Sequence, residues 1–293
     1  MALRSKKVMV ITGGDDNNVD KGIIPAFIGV ILKANDLNFT YIKMDPCGDR
    51  DAAYLDVQKY GENFCFKDGE IGPISFAFLE RISGQYFTKI NNITRGKIDD
   101  FVKSENEKSQ SSGKIRAVNF TVAVVRWIEN VFQQPIDKEK KILPDICIIE
   151  LGRSSEKDAQ NNEVSDKTFE NALSEFKRKK DFLHIHIAKL FVGRLKDIQK
   201  CVQNLRNCGW QPNMIICRTD DPISDVHKRH IAQICGFNDE IEKIINVPKV
   251  SHLKQIPIIL EEQNLSKLIL NVFDLPNGPN FETYLNEWKA TVA

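Results

Sequence analysis

Short apolar runs and amphipathic stretches alternate along almost the whole chain. The runs with the length and composition of buried strands are 8–11, 39–43, 146–150, 183–187, 214–217 and 244–247. Apolar residues at helical spacing predict helices at 22–35, 117–133, 164–180, 195–207 and 225–235. Buried strands that alternate with helices are typical of a parallel sheet covered on both faces. The pattern therefore predicts an α/β fold, doubly wound, with a mostly parallel sheet and helices on both faces.

Polar segments interrupt this pattern in two places, and a turn-rich segment marks the tail. The stretches 103–114 and 153–162 are polar and low in apolar residues, which predicts exposed loops. From Pro276 the turn residues Asn277-Gly278-Pro279 precede one amphipathic helix, Phe281–Lys289. We therefore expect one domain over 1–275, followed by a linker remnant and a C-terminal helix over 276–293.

The first strand ends in a segment that has the layout of a phosphate-binding loop. Thr12-Gly13-Gly14 follows the strand, and Lys21-Gly22 opens the first helix, as in a P-loop. Between them lie three carboxylates, those of Asp15, Asp16 and Asp20. Two like unit charges 4 Å apart repel by about 4 kcal/mol at an effective dielectric of 20. The loop therefore has the backbone of a phosphate site and charges that oppose phosphate.

Composition and charge narrow the class of protein. The chain has 293 residues, 42% of them hydrophobic, and a net charge of +1, which gives no argument for nucleic-acid binding. No apolar run approaches the roughly 20 residues of a membrane span. The seven cysteines include no CxxC pair, which predicts a reduced, cytoplasmic protein. The basic start, Met1–Lys7, leaves a mitochondrial address open as the alternative.

Histidine pairs are the remaining candidates for a metal site. His184 and His186 alternate along a predicted strand, and His227 and His230 share a face of a predicted helix. Neither pair has a third ligand in view, so we expect ordinary structural and surface histidines.

Several further stretches have the order and spacing of one known family. They are TGGDDNNVDKGI (12–23), IKMDP (42–46), YGENFCFKDGE (60–70), FLERI (78–82), NNITRGKI (91–98), CIIELG (147–152), WQPNMIICRTD (210–220) and EKIINVPKVSHLKQIP (242–257). Taken together they resemble the synthetase (amidoligase) domain of the CTP synthase family, over nearly the whole chain. The resemblance implies a P-loop NTPase-like, dethiobiotin-synthetase-like fold.

The resemblance also implies an activity and a class of partner. The family aminates UTP to CTP: ATP phosphorylates the UTP 4-oxygen with the help of Mg²⁺, and ammonia displaces the phosphate. A second, glutamine-hydrolysing domain supplies the ammonia, and we expect that domain to be absent after Pro276. The family forms tetramers and filaments. The implied partner is therefore a second copy of this chain, in a dimer or tetramer, or a full-length CTP synthase.

Site residues follow from the same resemblance, position by position. The implied nucleotide-binding residues are Gly13, Gly14, Lys21, Lys43 and Arg218. The implied remnants on the UTP side are Arg194, Lys196 and Gln199. Lys43 is also the one remnant of the catalytic set, and the alternative for both lysines is a solvated side chain.

The implied metal site has lost most of its charge. Glu150 matches a family carboxylate that binds Mg²⁺, and a helix-cap or loop acceptor is its alternative role. The two family aspartates that complete the site correspond to Pro73 and Ser75. One acidic ligand out of three is a poor magnesium site.

Three hypotheses about function follow. The first is a catalytically impaired CTP-synthase-like protein that acts in binding, regulation or assembly. The second is an ammonia-dependent CTP synthase with weak activity, supported by Lys21, Lys43, Glu150 and Arg218. The third is a P-loop ATPase switch without amination, which inherits the same acidic loop. The lost metal carboxylates and the acidic loop favour the first.

Overall fold

A computed structural model describes residues 6–13, 22–46, 62–111, 118–137, 139–152, 155–157, 163–165, 168–177, 181–190, 195–207 and 209–291. Its strands are β1 (Lys7–Gly13), β2 (Phe39–Asp45), β3 (Asn63–Cys65), β4 (Ile71–Pro73), β5 (Asn92–Thr94), β6 (Ile146–Leu151), β7 (Ser155–Lys157), β8 (Glu163–Ser165), β9 (Phe182–Lys189), β10 (Met214–Thr219) and β11 (Ile244–Pro248). Its α-helices are α1 (Ile23–Ala34), α2 (Ser75–Ser83), α3 (Arg95–Ser111), α4 (Phe120–Gln133), α5 (Thr168–Lys177), α6 (Leu195–Asn207), α7 (Asp225–Ile234), α8 (Ile256–Glu262), α9 (Leu265–Phe273) and α10 (Phe281–Ala290).

One seven-stranded sheet organises the molecule, in the order β11-β10-β9-β1-β6-β2-β5. Every neighbouring pair in it is parallel. In chain order, β2 and β5 are placed on one side of β1, and β6 is then inserted between β1 and β2. Strands β9, β10 and β11 follow on the other side of β1. This confirms the predicted doubly wound parallel sheet, and each predicted strand run lies within one of its strands.

Residues along each strand alternate between two cores, one on each face of the sheet. On β1, Met9 and Ile11 belong to the core that includes residues of α1, α8 and α9. Val8 and Val10 belong to the opposite core, with residues of α4 and α5. Because side chains on a strand point to alternate faces, both faces of a central strand must be apolar. The sequence therefore predicted helices on both faces of the sheet, and the structure confirms them.

The segment 103–114 was predicted as an exposed loop, and this prediction was wrong for its described part. Helix α3 continues through it to Ser111, and residues 112–117 lie outside the described residues. Asn106 holds the next segment to the helix, because its Oδ1 accepts from the backbone N of Val118 at 2.7 Å. Glu105 also pairs with Lys108 one turn on and with Arg126 of α4. These contacts stabilise a polar helix that has little apolar periodicity of its own.

The segment 153–162 was also predicted as a loop. Its described residues, Ser155–Lys157, form β7, which pairs antiparallel with β8. The prediction was therefore wrong for β7, and residues 153–154 and 158–162 lie outside the described part of the chain. The predicted helix 164–180 begins later, at Thr168, because Val164 belongs to β8.

The C-terminal helix α10 packs on the body of the fold. The backbone N of Gly278 donates to Oδ1 of Asn35, just beyond α1, at 3.1 Å. Tyr284 and Trp288 pack against the core on the α1 face, and the indole of Trp288 donates to the carbonyl of Lys254 at 2.8 Å. The tail therefore covers part of the α1 face.

Candidate functional site

The candidate site lies at the carboxyl end of the central strands, where ligands bind in open parallel sheets. In the register of the sheet, Glu150 of β6 stands opposite Ile11 of β1 on one side and Lys43 of β2 on the other. Tyr41 and Lys43 are two residues apart on β2 and share a face. The sheet thus brings the two charged residues, implied to bind phosphate and metal, into direct contact.

Lys43 and Glu150 form an ion pair at the end of the sheet. The ammonium Nζ of Lys43 lies 2.8 Å from Oε1 of Glu150 and donates to Oγ of Ser75, the first residue of α2, at 3.3 Å. The Glu150 side chain is only 4% exposed, whereas that of Lys43 is 21% exposed. A nearly buried carboxylate requires a partner of opposite charge, and Lys43 supplies it.

Tyr41 occupies the other oxygen of the same carboxylate. Its hydroxyl donates to Oε2 of Glu150, and its ring is buried against Phe76 and Phe87. Burial, and then the charge and hydrogen bond of Glu150, raise the pKa of Tyr41 well above its ordinary value. Tyr41 therefore stays protonated and remains a donor throughout the physiological range.

Two helices begin beside this pair. A Cβ added to Gly22 would lie 3.0 Å from Cβ of Ser75, so the starts of α1 and α2 touch. Neither helix has a side-chain cap hydrogen bond or an acidic residue in its first turn. The positive ends of the two helix dipoles therefore meet next to Lys43, which is an arrangement that favours an anion.

The described residues of the site do not fit Mg²⁺. Pro73 ends β4 and Ser75 begins α2, so neither position offers a carboxylate. Both oxygens of Glu150 accept hydrogen bonds from protein donors. Across the described ranges there is no group of three or more His, Cys, Asp or Glu side chains that could hold a metal ion. Mg²⁺ needs several oxygen ligands in octahedral geometry, and the described part of this cluster offers it a single carboxylate.

Of the other implied site residues, some lie near Glu150, some lie farther away and some lie outside the described residues. Gly13 ends β1 at the same edge of the sheet as Glu150. Arg218 lies on β10, two strands from β1, and its guanidinium donates to the carbonyls of Val247 and Pro248 at 2.9 and 3.1 Å. Gln199 is exposed on α6, and Lys196 belongs to the same helix. Gly14, Lys21, Arg194 and the three loop aspartates lie outside the described residues.

The sequence reading missed the polar partners of the site. Tyr41 was read only as part of a strand, although its spacing of two from Lys43 places it on the same face. Ser75 was noted as a lost carboxylate and not as a partner of Lys43. Their roles depend on contacts between β2, β6 and α2, which the sequence does not display.

A second polar cluster lies on the opposite face of the sheet. Oγ1 of Thr12 lies 2.8 Å from Nε2 of His184 and 2.9 Å from Nδ1 of His186. The sequence predicted that both histidines share a face, and their common partner confirms it. The ring of His184 also packs edge-on against the indole of Trp210, with centroids 5.0 Å apart.

Comparison with known proteins points to one family. The family model for the CTP synthase N-terminus matches residues 7–275. CTP synthase 2 of Bos taurus and CTP synthase 2 of Homo sapiens are each 32% identical to this chain, over 97% of it and 49% of their own length. CTP synthase of Dictyostelium discoideum is 32% identical over 92% of the chain and 48% of its own. The chain spans about half the length of these relatives.

Among solved structures, the chain is similar to a MinC:MinD cell division protein complex of Aquifex aeolicus, with 14% sequence identity and a TM-score of 0.38. The match covers 92% of this chain and 94% of that chain.

Among the described helices, none has the length and apolar character needed to cross a bilayer.

Proposed function

Since the chain belongs to the CTP synthase family and corresponds to the N-terminal region of its members, we propose that it is a catalytically impaired synthetase domain. In this proposal it acts as a binding, regulatory or assembly subunit and does not itself make CTP. Its synthetase domain is the segment 1–275, followed by the linker remnant and helix of 276–293. The implied substrates of the family, ATP with Mg²⁺ and UTP, define the chemistry that this chain has lost.

The observation that carries the proposal is the contact between Lys43 and Glu150. The family resemblance assigns the lysine to phosphate and the carboxylate to Mg²⁺, yet here each is bonded to the other at 2.8 Å. Binding ATP with its metal would require separating a nearly buried ion pair, and the contacts of each side chain with the ligand would have to compensate for its loss. Pro73 and Ser75 offer the metal no carboxylate.

The acidic loop works in the same direction. Asp15, Asp16 and Asp20 stand in sequence where the family has uncharged residues around the phosphates. Each close contact between a carboxylate and a phosphate is unfavourable by about 4 kcal/mol at an effective dielectric of 20. The added negative charge in the loop and the contact between Lys43 and Glu150 at the metal position therefore oppose the same ligand.

The test is CTP formation from UTP, ATP with Mg²⁺, and ammonia, measured by chromatography on the purified chain. We expect no CTP above the protein-free blank, while CTP synthase 2 of Homo sapiens in the same buffer forms it. Turnover of about 1–10 per second would contradict the proposal. Slow CTP formation that disappears in Glu150→Gln would instead establish the ammonia-dependent enzyme.

The proposed partner class follows from the family and from two helices of this chain. Helices α4 and α7 each carry an exposed valine, Val122 at 39% and Val226 at 71% exposure. We propose that the chain associates as a dimer or tetramer, or with a full-length CTP synthase, through these helices.

A further inference from the structure

The segment 276–291 lies on the surface of the domain as a separate piece, and we call it the tail clasp. It consists of a turn-rich linker, 276–280, and helix α10. No residue of α10 is buried, whereas helix α9, just before it in the chain, buries Leu265, Ile269, Leu270 and Phe273. The family model ends at residue 275, so the clasp lies outside the matched segment.

The linker of the clasp is anchored at the end of α1. The backbone N of Gly278 donates to Oδ1 of Asn35 at 3.1 Å, and Nδ2 of Asn280 donates to Oδ2 of Asp36 at 3.3 Å. A Cβ at position 278 would lie 2.4 Å from Cα of Asn35, which is closer than two such atoms can approach. The linker therefore fits at this anchor because residue 278 has no side chain.

The helix of the clasp is anchored by two aromatic residues one turn apart. Tyr284 and Trp288 are partly buried against the core on the α1 face, and the indole of Trp288 donates to the carbonyl of Lys254 at 2.8 Å. A like charge opposes this docking. Burial is the main cause that raises the pKa of Glu261 on α8, and the carboxylate of Glu282 on α10 adds to it.

We propose that the tail clasp opens and closes as a unit while the rest of the domain stays folded. Segments with few buried apolar contacts open at free energies well below that of global unfolding. Opening uncovers the apolar surface that Tyr284 and Trp288 cover on the α1 face. The clasp is therefore a conformational device on a part of the fold away from the contact of Lys43 with Glu150.

The opening also dissolves the helix, which makes it measurable. Isolated helices shorter than about 12–15 residues are marginal in water, and α10 has ten residues. Its backbone amides are therefore protected from exchange with solvent only while the helix is docked. Hydrogen exchange of these amides reports the open fraction directly.

The experiment is hydrogen exchange of the full chain, resolved by segment with mass spectrometry. We expect the amides of α10 to exchange at least about 100-fold faster than those of α9, at a rate that denaturant below the unfolding transition leaves unchanged. Equally slow exchange of both helices, through global unfolding, would overturn the proposal. An α10 with no protection at all would overturn it as well.

Two tryptophans supply a matched pair of variants. Trp288→Phe and Trp127→Phe each remove an indole hydrogen bond of 2.8 Å to a backbone carbonyl, the first in the clasp and the second in α4. Trp288→Phe should speed the exchange of α10 by about fivefold, the contribution of one hydrogen bond, and leave α9 unchanged. Trp127→Phe should leave α10 unchanged. The opposite pattern would show that α10 exchanges only when the whole domain unfolds, and would overturn the proposal.

Gly278→Ala tests the linker anchor. The added Cβ meets the backbone of Asn35, so the clasp should stay open, and the amides of α10 should exchange as in an unstructured chain. The amides of β1 and α9 should keep their protection. Asn277→Ala is the control, because Asn277 is exposed in the same linker. Unchanged protection of α10 in Gly278→Ala would overturn the proposal.

If Gly278→Ala does not fold, the pair of tryptophan variants decides. None of these measurements contains ATP, UTP or Mg²⁺. Their outcome is therefore independent of the CTP assay.

Discussion

At the scale of single residues, the site is decided by what Glu150 contacts. A carboxylate at the carboxyl end of a central strand usually faces the crevice where ligands bind. The Glu150 side chain is instead only 4% exposed, and each of its oxygens accepts a hydrogen bond from a protein side chain. Lys43 contributes the opposite charge. Tyr41 contributes a hydrogen bond from a hydroxyl that stays protonated in the physiological range, because its pKa is raised. In the proposed function, these two contacts make a family ligand position a structural one.

Tyr41→Phe tests the contribution of that hydrogen bond to stability. The substitution leaves Oε2 of Glu150 nearly buried without this donor, so the free energy of unfolding should fall by about 1–3 kcal/mol. Urea denaturation measures it, and Tyr86→Phe is the matched control because Tyr86 is 63% exposed. The double variant Tyr41→Phe/Glu150→Gln should lose less than the sum of the single losses. Additive losses would show that the bond contributes nothing to folding.

At the scale of elements, apolar periodicity predicted the sheet and failed for polar segments. The strands of the central sheet that contribute most to the core are continuous apolar runs, so the sequence alone located them. Helix α3 and strand β7 depend on contacts with other segments, such as the contact of Asn106 with Val118. No local sequence pattern predicts such contacts. The short strand β5 has three residues and pairs only because β2 lies beside it.

The buried His184 of β9 predicts a pH dependence of stability. Burial lowers the pKa of His184 well below its ordinary 6.5, with repulsion from His186 and Lys177 as smaller causes. The unfolded chain therefore binds a proton that the folded chain does not, once the pH falls below about 6.5. The free energy of unfolding should be independent of this group above that pH and should fall by up to about 1.4 kcal/mol per pH unit below it.

Denaturation curves between pH 8 and pH 5 measure this effect. In His184→Asn the extra loss below about 6.5 should disappear. His230→Asn is the control, because His230 is exposed on α7 and its replacement should leave the pH dependence unchanged. Parallel curves for the unmodified chain and His184→Asn would contradict the assignment.

At the scale of the whole molecule, the family architecture is present, and the loss of its ligand chemistry is the proposal that the experiments test. The parallel sheet, both cores and the position of the carboxyl edge agree with what the sequence predicted. The contact of Lys43 with Glu150 did not follow from the sequence, because it depends on the register of β2 against β6. The loop residues 14–21 and Arg194 lie outside the described part of the chain, so their assignments stay predictions.

Assembly is the property that the proposed role requires. Light scattering of the purified chain should give a mass that is a multiple of 33.4 kDa, as a dimer or tetramer, or the chain should co-purify with a full-length CTP synthase. Val122→Asp and Val226→Asp should weaken this association, because they place a charge on α4 and α7. Leu143→Asp is the control, since Leu143 is 53% exposed but lies outside both helices. A monomer that binds no such relative would contradict the proposed role.

The central claim is that Lys43 and Glu150 satisfy each other instead of holding ATP and its metal. Calorimetric titration of ATP into the purified chain, with Mg²⁺ and then with EDTA, tests it most directly. The account predicts no saturable binding that depends on Mg²⁺. Saturable binding of ATP with Mg²⁺ that is abolished by EDTA and by Glu150→Gln would contradict it, because Glu150 would then be acting as a metal ligand.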